Sequence, residues 1–225
     1  MRLQALRDLV LAALPQTQCT RCGFPDCAAY AQAIVDGEAA INQCPPGGQA
    51  GVARLAQITG QAEQPLDPQF GSEGPRHVAW IDEDWCIGCT LCLPVCPTDA
   101  ILGTHKRMHT VIESACTGCE LCIPVCPVDC IQLQDVSSPA TGWQAWSPMQ
   151  AQVARERYAH HQHRQARVDE LRAQSQMRKL DQDLETLRQD VAQASEAQER
   201  ERAQRKHDIV AAALARAKAL RPNPP

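Results

Sequence analysis

Cysteine dominates the chemistry that this sequence can do. Two runs, CIGCTLCLPVCP from Cys86 and CTGCELCIPVCP from Cys116, share the spacing C-x2-C-x2-C-x3-C-P. Three closely spaced thiolates wrap a loop around three irons of a [4Fe–4S] cube. The proline then turns the chain away, so the fourth iron is met by the other run. The spacing therefore assigns Cys86, Cys89, Cys92 and Cys126 to one cluster, and Cys116, Cys119, Cys122 and Cys96 to a second. Zinc sites usually present two separated C-x2-C pairs rather than two runs of four, so zinc is the weaker reading.

A third set, Cys19, Cys22, Cys27 and Cys44, is spaced C-x2-C-x4-C-x16-C. Four thiolates in that arrangement suit zinc or a cluster alike. Gly23 and Pro25 give the loop tight turns that serve either metal. The neighbouring runs favour iron–sulfur, because a third cluster extends an electron path. The cysteines thus give two [4Fe–4S] clusters and a third metal site, zinc or a cluster, on twelve of the thirteen. Cys130 takes the place of Ala100 in the other copy and reads as a small buried hydrophobe rather than a ligand.

The elements that must position these ligands can be read around them. The runs belong to a repeat of 30 residues, with eleven of sixteen positions identical between CIGCTLCLPVCPTDAI and CTGCELCIPVCPVDCI. Two copies suggest a pseudo-twofold unit, the bacterial two-cluster ferredoxin arrangement. Gly88 and Gly118 allow positive φ, so that amide N–H groups can face sulfur. Pro97 and Pro127 have no N–H to leave unsatisfied. Ile87, Leu91, Val95, Ile101, Ile123, Val125 and Ile131 are candidates to shield the clusters from water. HVAWI (77–81), HTVI (109–112) and IQL (131–133) read as short framing strands.

Upstream, Leu3, Leu6, Val10 and Leu14 share one helical face ahead of Pro15, and further helices are expected over 26–35 and 51–58. Downstream, Met177, Leu180, Leu184, Leu187, Val191 and Ala194 step by 3, 4, 3, 4, 3, the seam of a short coiled coil or helical hairpin. The expected fold class is α+β. It comprises an N-terminal iron–sulfur domain (1–60), a linker (61–76), a two-cluster ferredoxin domain (77–136), a second linker (137–149) and an α-helical tail (150–225). His160, His161 and His163 fall in the polar tail and read as solvated. The HKRMH turn at 105–109 reads as exposed.

Composition narrows the function. Two Phe and two Tyr in 225 residues leave little to fill a wide core. Residues 1–150 carry 7 basic and 15 acidic side chains, a balance that argues against nucleic-acid binding by that half. The last 95 residues hold no cysteine, and no apolar run is long enough for a membrane span. There is no secretory signal, so the thiols are expected in a reducing compartment, as ligands rather than disulfides. No phosphate loop or dinucleotide fingerprint is present. The polypeptide offers no catalytic pocket of its own; redox chemistry would belong to the clusters.

LPQTQCTRCGFPDC, INQCPPGG, IDEDWCIGCTLCLPVCPTDAI and MHTVIESACTGCELCIPVCPVDCI closely resemble the B subunit of the Rnf/Rsx-type electron transport complex, over about residues 14–136. The resemblance implies a [4Fe–4S] cluster on Cys19, Cys22, Cys27 and Cys44. It also implies membership of a membrane assembly that couples electron flow between NADH and ferredoxin to ion movement. Expected partners are the other subunits of that complex and redox donor and acceptor proteins. Family members typically begin with a transmembrane anchor, whereas this chain begins almost at the first cluster domain. The expectation is a variant without the anchor, with no direct membrane span. It would be cytoplasmic, or peripheral on the cytoplasmic face of the inner membrane through its partners. The alternatives are a free polyferredoxin serving a soluble redox enzyme, and a scaffold with structural metal sites whose tail does the binding.

Overall fold

The computed structural model describes residues 2–219. Its N-terminal part is three helices, α1 (Arg2–Ala13), α2 (Cys27–Asp36) and α3 (Gly48–Thr59), packed around Val10, Leu14, Tyr30, Ile34, Val52 and Leu55. Of the expected helical face of α1, Val10 is buried, Leu6 is half-buried and Leu3 is exposed, and Leu14 is buried just beyond the helix end. Asp26 caps α2: its Oδ1 accepts from the Ala29 amide at 2.7 Å, satisfying a donor that the first turn leaves free.

The repeat forms two small antiparallel ladders. β1 (His77–Ile81) pairs with β4 (Ile131–Asp135), with Ala79 opposite Leu133, and β2 (Ile101–Leu102) pairs with β3 (Thr110–Val111). One helical turn, α4 (Cys92–Val95), follows the first run. The interior holds small apolar residues such as Val78, Ala100 and Ile131 together with Cys92, Cys96, Cys116, Cys122 and Cys130. This core is built around sulfur rather than around large rings. Left-handed backbone recurs at the repeat spacing, at Gly88 and Gly118, Thr90 and Glu120, and Asp99 and Asp129.

The segments 61–76 and 137–149, expected as linkers, are bonded to the N-terminal helices and the ferredoxin fold, and together these form the head of the chain. The Glu73 carboxylate accepts from the Gln49 amide at 2.8 Å and from Thr141 Oγ1 at 2.7 Å. Trp143 and Trp146 are buried, and Trp146 Nε1 donates to the Pro15 carbonyl at 2.8 Å. The Arg54 guanidinium lies 4.0 Å from the centre of the Trp143 ring. Turn-rich composition marked irregular backbone here but not its anchoring by two indoles.

Ser147 and Gln150 form a reciprocal capping box, at 2.9 and 3.2 Å, that starts α5 (Pro148–Gln193) with Pro148 in the first turn. The first turns of α5 belong to the head. Tyr158 Oη donates to Asp26 Oδ2 at 3.1 Å, Arg157 Nη1 to the Thr98 carbonyl at 3.3 Å, and His161 Nδ1 lies 2.7 Å from Asp99 Oδ1. The chain accordingly divides into a unit ending at His161 and a unit from Gln162, rather than at residue 150. His160 and His163 are exposed as expected, but His161 is only 8% exposed. The sequence reading of that histidine is corrected by its carboxylate partner.

In the second unit α5 continues and α6 (Ala197–Ala219) returns along it. Lys218 Nζ lies 3.5 Å from Asp181 Oδ1, and Arg200 donates to the Ala194 carbonyl near the turn, so the pair is an antiparallel hairpin. The 3–4 seam is its half-covered face, with Leu184, Ala194 and Leu214 buried. No helix among the described residues is long and apolar enough to cross a membrane.

Asp26 serves both α2 and Tyr158. Asp26→Ala is therefore expected to destabilise the head by about 1–2 kcal/mol, the usual cost of losing an N-cap. Denaturant unfolding of the full chain would show this as a lower midpoint; an unchanged midpoint would mean that the cap carries no weight.

Candidate metal centres

None of the thirteen cysteines is paired in a disulfide. The structure gathers the twelve expected ligands into three groups. Cys86, Cys89, Cys92 and Cys126 line one cavity, which Ile81, Ile131, His109 and Cys130 also border. Cys96, Cys116, Cys119 and Cys122 line a second, bordered by Ala79, Ala100 and Ile101. Each cavity thus takes three cysteines from one run and the last from the other. Cys19, Cys22, Cys27 and Cys44 converge more loosely in sequence, but burial raises the thiol pKa of Cys44 and the charge of each of the first three raises it further.

Burial is the largest influence on these thiols. It pushes Cys27 and Cys122 up to about 12, and Cys92 and Cys119 to about 11, with neighbouring sulfurs adding to the effect. A dry pocket that disfavours several adjacent thiolates is stable in that form only if positive charge sits between them. The backbone supplies part of it. The amide of Ala79 donates to Cys116 Sγ at 3.3 Å, that of His109 to Cys86 Sγ at 3.3 Å, and that of Ala100 to Cys96 Sγ at 3.2 Å. Cys126 shifts the other way. Burial raises its pKa, but the amides of Val128, Cys130 and Asp129 and the Cys130 thiol outweigh that and lower it.

The N-terminal loop is built for the same purpose. Gln16, Gln18 and Thr20 all have positive φ, an uncommon backbone for residues with a Cβ. Alternation of this kind turns successive amides toward a common point and makes a concavity for an anionic group, including iron–sulfur sites. Two buried glutamines hold it. Gln16 Nε2 donates to the carbonyls of Leu11 and Leu14, and Gln18 Oε1 accepts from the Cys27 amide at 2.9 Å. Tyr30 Oη donates to the Ala40 carbonyl at 2.7 Å and accepts from the Gln43 amide at 3.1 Å, fixing the approach to Cys44. Sequence reasoning overlooked these three polar braces; the left-handed turns that make them necessary leave no sign in composition.

Three other expectations change. His109, read as part of an exposed turn, is 1% exposed, and its Nδ1 lies 3.3 Å from Cys92 Sγ. Cys130 is buried as expected, yet it sits 3.5 Å from Cys126 Sγ rather than among apolar neighbours alone. Its pKa is pushed up to about 12, by burial first and then by its contact with Cys126. Ile87 and Leu91 do not seal the sites: they are 58% and 50% exposed.

Residues 79–133 match the family model described as a 4Fe-4S dicluster domain, and residues 14–46 match one described as a putative Fe-S cluster. The chain is 59% identical over 138 residues to the B subunit of the ion-translocating oxidoreductase complex of Azoarcus sp. (strain BH72), covering 61% of this chain and 75% of the relative. The corresponding B subunit of Alkalilimnicola ehrlichii is 54% identical over 156 residues, covering 68% of this chain and 83% of the relative. That of Thiobacillus denitrificans is 57% identical over 107 residues, covering 48% and 57%. No solved structure matches the chain.

A Cβ on Gly118, whose φ is +68°, would lie 2.3 Å from the His77 carbonyl oxygen, a backbone atom that cannot step aside. Gly118→Ala should therefore lose most of the visible absorbance attributable to the 96/116/119/122 site. Cys130→Ala should keep the full absorbance, since Ala100 fills the same place in the other copy. A variant at 118 that absorbs like the wild type would refute this packing.

Proposed function

The chain belongs to the family of the B subunit of ion-translocating oxidoreductase complexes, and from that premise we propose that it is the electron relay of such a complex, holding three [4Fe–4S] clusters. The ligands would be Cys19, Cys22, Cys27 and Cys44 for one, Cys116, Cys119, Cys122 and Cys96 for the next, and Cys86, Cys89, Cys92 and Cys126 for the last. Bound there, the clusters supply reversible one-electron uptake and release.

The protein's own part is to order and insulate them. The observation that carries the relay reading is the direct junction between the N-terminal loop and one half of the repeat. Thr117, next to Cys116, donates through Oγ1 to the Thr17 carbonyl at 3.0 Å, and Arg21 pairs with Glu120 at 2.5 Å. Arg76 bridges the same region, donating to the Cys116 carbonyl at 2.8 Å beneath Trp146. The junction favours a line that runs from the N-terminal site through the 96/116/119/122 site to the 86/89/92/126 site. A cluster rather than zinc in the N-terminal set is supported by its left-handed loop at Gln16, Gln18 and Thr20, which turns amides toward a common point.

The complex, the cytoplasmic face and the coupling to ion movement come to this chain from its relatives' names and from the family resemblance. Affinity capture of the full chain from gently solubilised native membranes tests them. Recovery of integral-membrane subunits in fixed proportion is the expected result. Recovery of the chain alone, with all of it in the soluble fraction, would replace this reading with that of a free polyferredoxin.

A further inference from the structure

The two halves of the repeat are nearly equivalent in backbone, so positions 30 residues apart can be compared as matched environments. Position 79 corresponds to 109, 100 to 130 and 103 to 133. The main-chain donors match: the amides of Ala79 and His109 each reach a sulfur of the opposite run at 3.3 Å. The side chains do not match. The 96/116/119/122 cavity is faced by Ala79 and Ala100, neither of which can donate. The 86/89/92/126 cavity is faced at the same two places by His109 and Cys130, which can.

The histidine's seat is built by a second exchange of size. Ala79 pairs across its ladder with Leu133, so a small residue faces a large one. Continuing the register of the other ladder sets Gly103 opposite His109. A Cβ on Gly103 would lie 1.8 Å from His109 Cδ2. The pair Ala–Leu in one half has become His–Gly in the other, and the glycine clears the space that the ring fills. The ring is 1% exposed, its Nδ1 is 3.3 Å from Cys92 Sγ, and its Nε2 has no hydrogen-bond partner among the described residues. A buried nitrogen left without a partner carries a cost that a purely structural position would avoid with an apolar side chain.

We infer that His109, seated by Gly103, is a positioning residue that makes the 86/89/92/126 cluster the easier of the repeat's two clusters to reduce. The inference rests on the ligand assignment proposed above. A thiolate ligand can only accept, so Nδ1 carries the hydrogen and donates it to Cys92. Reduction places one more negative charge on cluster and ligands, and a fixed donor to sulfur stabilises the reduced form more than the oxidised one. The Cys130 thiol acts on Cys126 Sγ in the same direction from 3.5 Å. Along the proposed line of sites, electrons entering at the N-terminal site would run downhill within the repeat, from the Ala-lined to the His-lined cluster.

Potentiometric titration of the full chain followed by electron paramagnetic resonance tests this, with iron content measured on each sample. His109→Ala should keep the wild-type iron content and shift one reduction equilibrium about tenfold towards the oxidised form, roughly 59 mV for one electron. The other two should stay in place, and His109→Gln, which keeps an N–H donor, should recover much of the shift. The reciprocal variant Ala79→His with Leu133→Gly should move a different cluster the opposite way, and it decides the matter if His109→Ala loses iron. Full iron content with no midpoint moved, or with all three moved together, overturns the inference. A wild-type chain short of iron in the repeat would overturn the ligand assignment instead.

Discussion

The structure depends on one constraint: several thiolates must stand close together in a dry interior. Alone they repel, and burial makes each harder to ionise, as the raised pKa values of Cys27, Cys44 and Cys122 record. Cationic iron between them and amide hydrogens around them relieve the repulsion. The backbone bends to supply the amides, at Gly118 without a Cβ and at Gln16, Gln18 and Thr20 despite one. Few large side chains are needed, because the ligand sites occupy the space that rings and branched chains fill elsewhere.

The repeat solves this problem twice with one backbone, and the differences between its halves are therefore informative. Equivalent positions keep the main-chain donors and change the side chains. Ala79 and Leu133 against His109 and Gly103 is a compensated exchange, since neither member could change alone without a clash or a void. Outside the repeat, the tryptophans at 143 and 146 and the first turns of α5 fasten the N-terminal helices and the ferredoxin fold into one unit. The hairpin beyond Gln162 covers little apolar surface and is held largely by its own 3–4 seam.

Much of this was legible in the sequence, for physical reasons. Ligand spacing is short-range, so two C-x2-C-x2-C-x3-C runs fix the local loops and force the exchange of their last cysteines. Helical periodicity located α1, and Asp26 with its following apolar residues located α2. The strands at 77–81 and 131–133 were visible as β-branched and apolar runs between turns, and the second continues to Asp135. What stayed hidden depends on contacts between distant residues. His109 looks like one more polar residue of a basic turn until Gly103 is placed across the ladder. His161 looks solvated until Asp99 meets it. The stretches around Glu73 and Trp146 look like linkers because turn residues report irregular backbone, not what that backbone touches. The identity of the metal on Cys19, Cys22, Cys27 and Cys44 was open from spacing, and the left-handed loop that bears on it is a property of the folded backbone.

The central claim is that one polypeptide holds a line of three like clusters. Anaerobic analysis of iron, acid-labile sulfide and zinc on the intact chain tests it most directly. The predicted result is about twelve irons and twelve sulfides per chain with no zinc, as three cubane clusters require. About eight irons with one zinc would contradict it, leaving a two-cluster ferredoxin joined to a structural zinc domain.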